Sequence, residues 1–304
     1  MSTSRTAALS GPELPAFRRI LCALDVQRPA PGATALASLI ARQFEAELEA
    51  LYVSPGPFDP EAEARLERLV ASLEPSVAGN ARVAFGAPAA SICERATERG
   101  CDLIVLGSRF RSDLGWQFRD DVVRDVSATT SSATLSVHDR DRAAAVERIL
   151  VPVDFGPATS RMVDWASSFA LRFGAEVQLL HVVSRERSAP RKGDRAALEE
   201  LEARVAALGV KVGSQVLVAG NIAGGIEGYN ESCEFDLVVM GMGQNDDARA
   251  RVTRGVVATL RNRLSVPLLS VHASPFDATR PRVRSASLQR EESRSPRVSL
   301  ADRR

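Results

Sequence analysis

The stretch RILVPVD at residues 148–154 decides the fold, because the chain has already written it once, as RILCALD at residues 19–25. One constant offset carries Arg19, Ile20, Leu21 and Asp25 onto Arg148, Ile149, Leu150 and Asp154. Without a gap it also carries Phe44, Ala46, Glu47, Leu51 and Val53 onto Phe173, Ala175, Glu176, Leu180 and Val182. A slightly larger offset aligns CDLIVLGS, from Cys101, with FDLVVMGM, from Phe235, and brings Gly86 onto Gly220, Val137 onto Val271 and His138 onto His272. The difference is absorbed in the polar stretch before the third strand, where a loop accepts insertion. Two copies of a unit of about 130 residues predict two domains of one fold. The period is too long for a solenoid repeat of ~20–50 residues.

Each copy alternates short β-rich runs with helical patterns. RILVPVD is continuously apolar, as expected of a strand buried on both faces of a parallel sheet. Met162, Trp165, Ala166, Phe169 and Phe173 then share one helix face, with Thr159 or Ser160 near its start. EVQLLHVV is the next strand, and a helix ending at Gly209 follows. KVGSQVLVA is a third strand, a Gly-punctuated helix runs to about Ser232, and DLVVMG is a fourth strand. Val252, Val256, Leu260 and Leu264 predict the inner face of a last helix before the closing strand VPLLSVH. In the first copy the strands are expected near 19–25, 47–53, 81–85, 102–107 and 133–138. Strict alternation predicts an α/β architecture, two tandem Rossmann-like doubly wound domains, each a five-stranded parallel sheet flanked by helices. Ligands of such sheets sit beyond the carboxyl ends of the strands where strand order reverses. That singles out Asp25 and Gly107 in one copy, Asp154 and Gly241 in the other.

Composition narrows the classes. A formal net charge of +1 provides no global field for nucleic acid or a membrane surface. No run approaches the ~18 apolar residues of a membrane span, and the first residues hold no signal-like apolar run. Cys22, Cys93, Cys101 and Cys233 form no C-x-x-C pair and lie in strand- or helix-like contexts, so buried structural thiols in a cytoplasmic protein are expected. Residues 1–16 are expected to be a disordered arm and residues 275–304 a disordered Arg/Ser-rich tail, bracketing domains at 17–140 and 146–274. The tail reads as a solubilising segment or as a basic docking or phosphorylation segment.

RILVPVDFG, GAEVQLLHVV and DLVVMGM, in this order and spacing, resemble the universal stress protein family in its tandem two-domain form. The resemblance implies either adenine-nucleotide binding or nucleotide-independent signalling in stress adaptation. Nucleotide-binding members carry, after the fourth strand, a Gly, two residues, a Gly, nine residues, and a Gly followed by Ser or Thr. Glycines there let backbone N–H groups approach phosphate, and the last opens a helix whose positive end favours an anion. In the second copy Gly241 takes the first position, Gln244 the second with Gly243 one residue early, and Gly255 the third, with Val256 in place of the hydroxyl. In the first copy Gly107 is present, but Phe110 and Asp120-Asp121 occupy the other positions. At an effective dielectric of ~20 and ~4 Å, each carboxylate–phosphate pair costs about 4 kcal/mol. Millimolar binding is worth only about that much, so the first copy is not expected to hold ATP.

The resemblance therefore places any ATP at the second copy alone, near Asp154, Val182, Gly241, Gly243, Gly255 and Val256. Asp154 would sit at the adenosine end and Val182 against the adenine. The alternative role for Asp154 is to order the turn into the following helix, and for Gly241 and Gly255 to allow tight turns and close packing. His138, His181 and His272 offer no metal constellation, and Arg249, Arg251, Arg254, Arg261 and Arg263 read as a solvated helix face. No catalytic residue is identified, and no nucleophile elbow, Walker A sequence or H-E-x-x-H is present. The expected role is regulatory or protective and non-catalytic. An ATP-binding sensor using the second copy, with slow ATPase activity as a further option, is the alternative. The matched closing strands predict an intramolecular pseudo-dimer. A homo-oligomer or protein partner remains open, and no membrane or specific nucleic-acid partner is expected.

Overall fold

The computed structural model describes residues 14–25, 30–54, 60–71, 81–108, 120–138, 141, 145–185, 192–242 and 248–272. Repeat one contains β1 (Arg19–Leu24), α1 (Pro31–Phe44), β2 (Glu47–Ser54), α2 (Pro60–Ala71), β3 (Ala81–Phe85), α3 (Pro88–Arg99), β4 (Leu103–Ser108), α4 (Asp120–Thr129) and β5 (Ala133–His138). Repeat two follows with β6 (Arg148–Pro152), α5 (Thr159–Phe173), β7 (Glu176–Ser184), α6 (Lys192–Ala206), β8 (Val212–Ala219), α7 (Ile222–Cys233), β9 (Leu237–Met242), α8 (Ala248–Arg263) and β10 (Leu268–His272). Local signals explain the boundaries. Helices α1 and α3 begin at prolines, which suit the first helical position. Helices α3 and α5 end on Gly100 and Gly174 in the left-handed conformation. Asn221 caps α7 by accepting from Gly224 N at 2.8 Å.

The strand order is β3-β2-β1-β4-β5-β10-β9-β6-β7-β8 in one ten-stranded sheet. Within each repeat all pairs are parallel, and order reverses between the first and fourth strands. Crossovers from such strands place α1 and α2 on one face of repeat one, α3 and α4 on the other. The aspartate of each DL pair anchors this layout from the amino ends of the strands. Asp102 Oδ2 accepts from Arg18 N at 2.7 Å and Arg19 N at 3.0 Å. Asp236 Oδ2 accepts from Glu147 N at 2.9 Å and Arg148 N at 2.8 Å. The first and fourth strands, which flank the switch point, are thereby held in matching register.

The two halves meet through the antiparallel pair β5–β10, in which Leu135 faces Leu269. These are equivalent residues of the two repeats, so a pseudo-two-fold axis passes between them, the signature of an isologous contact. Gln43 and Arg172 are equivalent as well, and Arg172 Nη1 donates to Gln43 O at 2.9 Å. The expected pseudo-dimer is thus built into a single sheet. On the face covered by α1 and α5 one apolar core runs through both repeats, including Leu135, Val137, Leu269 and Val271. Phe17 stacks on Trp165 with centroids 4.1 Å apart, and Phe44 meets Phe169 at 5.2 Å. On the other face the core splits into separate clusters for the two repeats. Strand periodicity accounts for the split. The residues of β5 and β10 that alternate with the apolar ones are Thr134, Ser136, His138, Ser270 and His272, all buried.

Three expectations change in detail. Pro15 and Phe17 belong to the folded body: Ser168 Oγ donates to Pro15 O at 2.6 Å and Phe17 is fully buried, so the expected arm at 1–16 does not extend to its last residues. The rest of that arm, residues 1–13, and the tail at 275–304 lie outside the described residues. The inner face of α8 is Ala250, Val257, Leu260 and Arg261, while Val252 is exposed. Steps of four residues overshoot the helical repeat of 3.6 by about 40° each, so a stripe drawn in fours drifts off the buried face. Cys22, Cys93 and Cys101 are buried and Cys233 is half-buried, all as free thiols. Burial pushes the Cys22 and Cys101 thiols up to about 12, which makes them unreactive near neutral pH.

Candidate functional site

The switch point of repeat two lies where β6 and β9 end side by side. Asp154 follows β6 and is solvent-exposed. Its Oδ1 accepts from Gly156 N at 2.8 Å and lies 3.5 Å from Thr159 Oγ1. This is an Asx-type turn, and it leads the chain into α5 through Phe155, whose φ is 55°. A side chain at Gly156 would strike the carboxylate at 2.8 Å. Phe155 lays its ring 4.7 Å from His181. His181 Nδ1 lies 2.8 Å from Val153 O, and Nε2 lies 3.6 Å from Asp194 Oδ2 near the start of α6. The turn is therefore braced from β7 and α6. Asp154 has the turn-ordering role, and its exposure leaves it accessible to a ligand as well.

The remaining candidates are built differently from the nucleotide-site expectation. Val182 is buried, and its Cγ1 lies 2.7 Å from where a Cβ on Gly225 would stand. It is closed under α7 by a glycine that permits the contact. Gly241 lies inside β9, where a Cβ would meet Ala158 Cβ at 2.7 Å. Gly107 does the same in repeat one, against Ala30 Cβ at 2.8 Å. Both glycines seat the first turn of the helix that crosses over them, which is the packing role. Gly255 does not open a helix: α8 begins at Ala248 and Gly255 lies in its interior. Val256 is half-buried and packs on the repeat-two core. Gly243 and Gln244 lie outside the described residues.

Acidic residues stand at the entry of both helices that follow the fourth strands: α4 begins with Asp120 and Asp121, and Asp246 and Asp247 immediately precede α8 in the sequence. The described residues contain no group of three or more His, Cys, Asp or Glu side chains able to hold a metal, and no helix long and apolar enough to cross a membrane.

His272, expected as an ordinary core or surface histidine, is 8% exposed, and neither ring nitrogen has a partner among the described residues. Burial, with a smaller contribution from Arg161, pulls the imidazole down from 6.5 to about 4. The unfolded chain therefore binds this proton more readily than the folded one between these values. Stability from the neutral imidazole is complete above the unfolded value and is lost as pH falls toward about 4, a difference of about 3 kcal/mol. Urea midpoints measured from pH 7 to 4.5 should fall accordingly, and His272→Phe should flatten the dependence. An unchanged slope in the variant would remove His272 as its cause.

These features define a tandem pair of doubly wound domains, each with its switch point at the carboxyl ends of its first and fourth strands. The chain belongs to the universal stress protein family, whose family model matches residues 16–137 and 145–272. No curated protein matches in sequence. A universal stress protein from Archaeoglobus fulgidus DSM 4304 is similar in structure, at 18% identity and a TM-score of 0.66, over 84% of this chain and 96% of that one. A functionally unknown protein from Pseudomonas aeruginosa PAO1 is similar over 92% of this chain and 98% of its own, at 16% identity and a TM-score of 0.60. A shorter universal stress protein from Archaeoglobus fulgidus, solved in complex with dAMP, covers 41% of this chain at 16% identity and a TM-score of 0.34.

Proposed function

We propose that the chain is a non-catalytic, cytoplasmic member of the family that acts in stress adaptation by regulation or protection, as one tandem body. The observation that supports it most is the use of the repeat-two candidates for packing: Val182 is closed against Gly225, Gly241 carries Ala158, and Gly255 lies within α8. The alternative is an adenine-nucleotide sensor using repeat two, which the exposed Asp154 at the end of β6 supports. The dAMP complex is a property of the archaeal relative and supplies only the ligand class to try. Calorimetry of the whole chain with ATP, paired with a phosphate-release assay, separates the readings. The proposed role predicts no binding heat at millimolar ATP and no phosphate above background. Binding that Asp154→Ala weakens and Asp25→Ala leaves unchanged would establish the sensor instead. Phosphate release above background would establish an ATPase.

A further inference from the structure

The ten-stranded sheet ends on β3 at one side and on β8 at the other. β8 pairs with β7 along its whole length, from Val177–Val212 to Ser184–Ala219. Val177 N donates to Lys211 O, and Arg185 N donates to Ala219 O. Along a strand the backbone groups of successive residues point to alternate sides, so the odd-numbered residues of β8 face β7. Val212, Ser214, Val216 and Val218 therefore turn their N–H and C=O groups outward. Among the described residues no strand lies beyond them.

Native sheets blunt their edges with short strands, charge or proline. β3 follows that rule: it has five residues, and the exposed Arg82 stands within it. β8 has eight residues and holds neither a charged side chain nor a proline. Val218 near its end is 41% exposed. The neighbouring charges are already engaged, Lys211 Nζ 2.5 Å from Glu176 Oε2 and Glu202 accepting from Ser214 Oγ. The four outward residues are also spaced evenly about Gln215, which makes the edge complementary to itself. Turned about a two-fold axis through Gln215 and normal to the sheet, Val212 meets Val218 of a second copy and Ser214 meets its Val216. All four outward residues then form hydrogen-bonded antiparallel pairs, and each side chain keeps its own face of the sheet. The chain already joins equivalent strands in this way at β5–β10. A net charge of +1 sets no field against self-association.

We propose that β8 is a self-association edge, on which two copies of the chain pair antiparallel about Gln215 and join their sheets into one. The exposed Val218 of each copy is covered by Val212 of the other. At the axis Gln215 faces itself as a non-hydrogen-bonded pair, with Cα atoms about 4.5 Å apart. A strand pair buries less than the ~800 Å² per partner of a standard interface, so the dimer is of the weak, micromolar kind. An extended segment of another protein could use the same outward groups, but only a second copy uses their even spacing about Gln215.

Sedimentation of the whole chain over a concentration series up to about 1 mM should show a monomer–dimer equilibrium. Gln215→Lys sets two ammonium groups face to face at the axis and should weaken association about tenfold or more. Val218→Lys, at a position that is already exposed, should weaken it as well. Phe85→Lys, at the 47% exposed end of β3, should leave it unchanged. Gln215→Cys in a Cys233→Ser background reads the register directly. The Cα separation at the axis suits a disulfide, and Cys22, Cys93 and Cys101 are buried. Mild oxidation should therefore link two copies through position 215, while Phe85→Cys in the same background should stay unlinked. A chain that remains monomeric throughout the series overturns the proposal and leaves the edge to another protein. A dimer that neither lysine on β8 weakens, or that Gln215→Cys does not link, also overturns it, by placing the contact on another surface.

Discussion

Phe169→Ala is expected to lower the unfolding free energy by about 3–5 kcal/mol, and to lower it for both repeats together. Phe169 is 1% exposed on α5. Its ring lies 5.2 Å from Phe44, 5.7 Å from Phe17 and 5.5 Å from Phe173. The first two belong to repeat one and the third to repeat two, so truncation opens a void shared by both. The polar strip along the opposite face of β5 and β10 has no comparable aromatic contact to substitute. The β5–β10 register is short, pairing Leu268–Ser270 with Ser136–Thr134, and joins the halves without the packing that the aromatic cluster provides. Urea unfolding followed by circular dichroism, with hydrogen exchange resolved by segment, checks this. The expected outcome is one shifted transition with lowered protection in both β1 and β6. Loss of protection confined to repeat two would show the repeats to be energetically separate.

The sequence made the repeat, the strands and the switch point readable, because each rests on local pattern. Apolar runs such as RILVPVD and DLVVMG become β6 and β9 within a residue or two, and the offset between copies carries the topology from one to the other. What remained hidden depends on residues far apart in the chain. Phe17 stands in a polar-looking leader, and only its stacking on Trp165, across the repeat boundary, makes it core. Gly241 satisfied a motif position, yet its reason is Ala158, which no spacing rule links to it. Gly255 misled because glycine inside a helix carries the same letter as glycine at its start. Counted strictly, the nine residues after Gln244 end at Thr253, so the third motif position falls on Arg254, and α8 is already formed there.

An asymmetry between the repeats carries the other large effect. Glu49 on β2 is 4% exposed. Arg95 on α3 grips it through Nε at 2.6 Å and Nη2 at 3.0 Å. Arg99 Nε adds a contact at 3.1 Å. The bidentate hydrogen bonds from Glu49, with help from Glu98, raise the Arg95 guanidinium above its ordinary range. In repeat two the equivalent residues of Glu49 and Arg95 are Gln178 and Tyr229, and Tyr229 donates instead to Gln215 at 3.0 Å. The fold therefore accommodates this place without any charge. Glu49→Leu is expected to cost about 3 kcal/mol, because it leaves a largely buried guanidinium with only the exposed Glu98, 3.1 Å from Nη1, as its anion. Adding Arg95→Leu should recover most of that loss, since a buried ion pair replaced as a unit by apolar side chains is often close to neutral. Arg99, with a more exposed side chain 3.6 Å from Glu47, keeps a partner in both variants. Chemical denaturation of the two single variants and the double variant gives the coupling energy directly. A double variant as unstable as the sum of the singles would show that Glu49 acts through something other than Arg95. A Glu49→Leu variant within about 1 kcal/mol of the native protein, the range of an exposed ion pair, would show that the pair is effectively solvated.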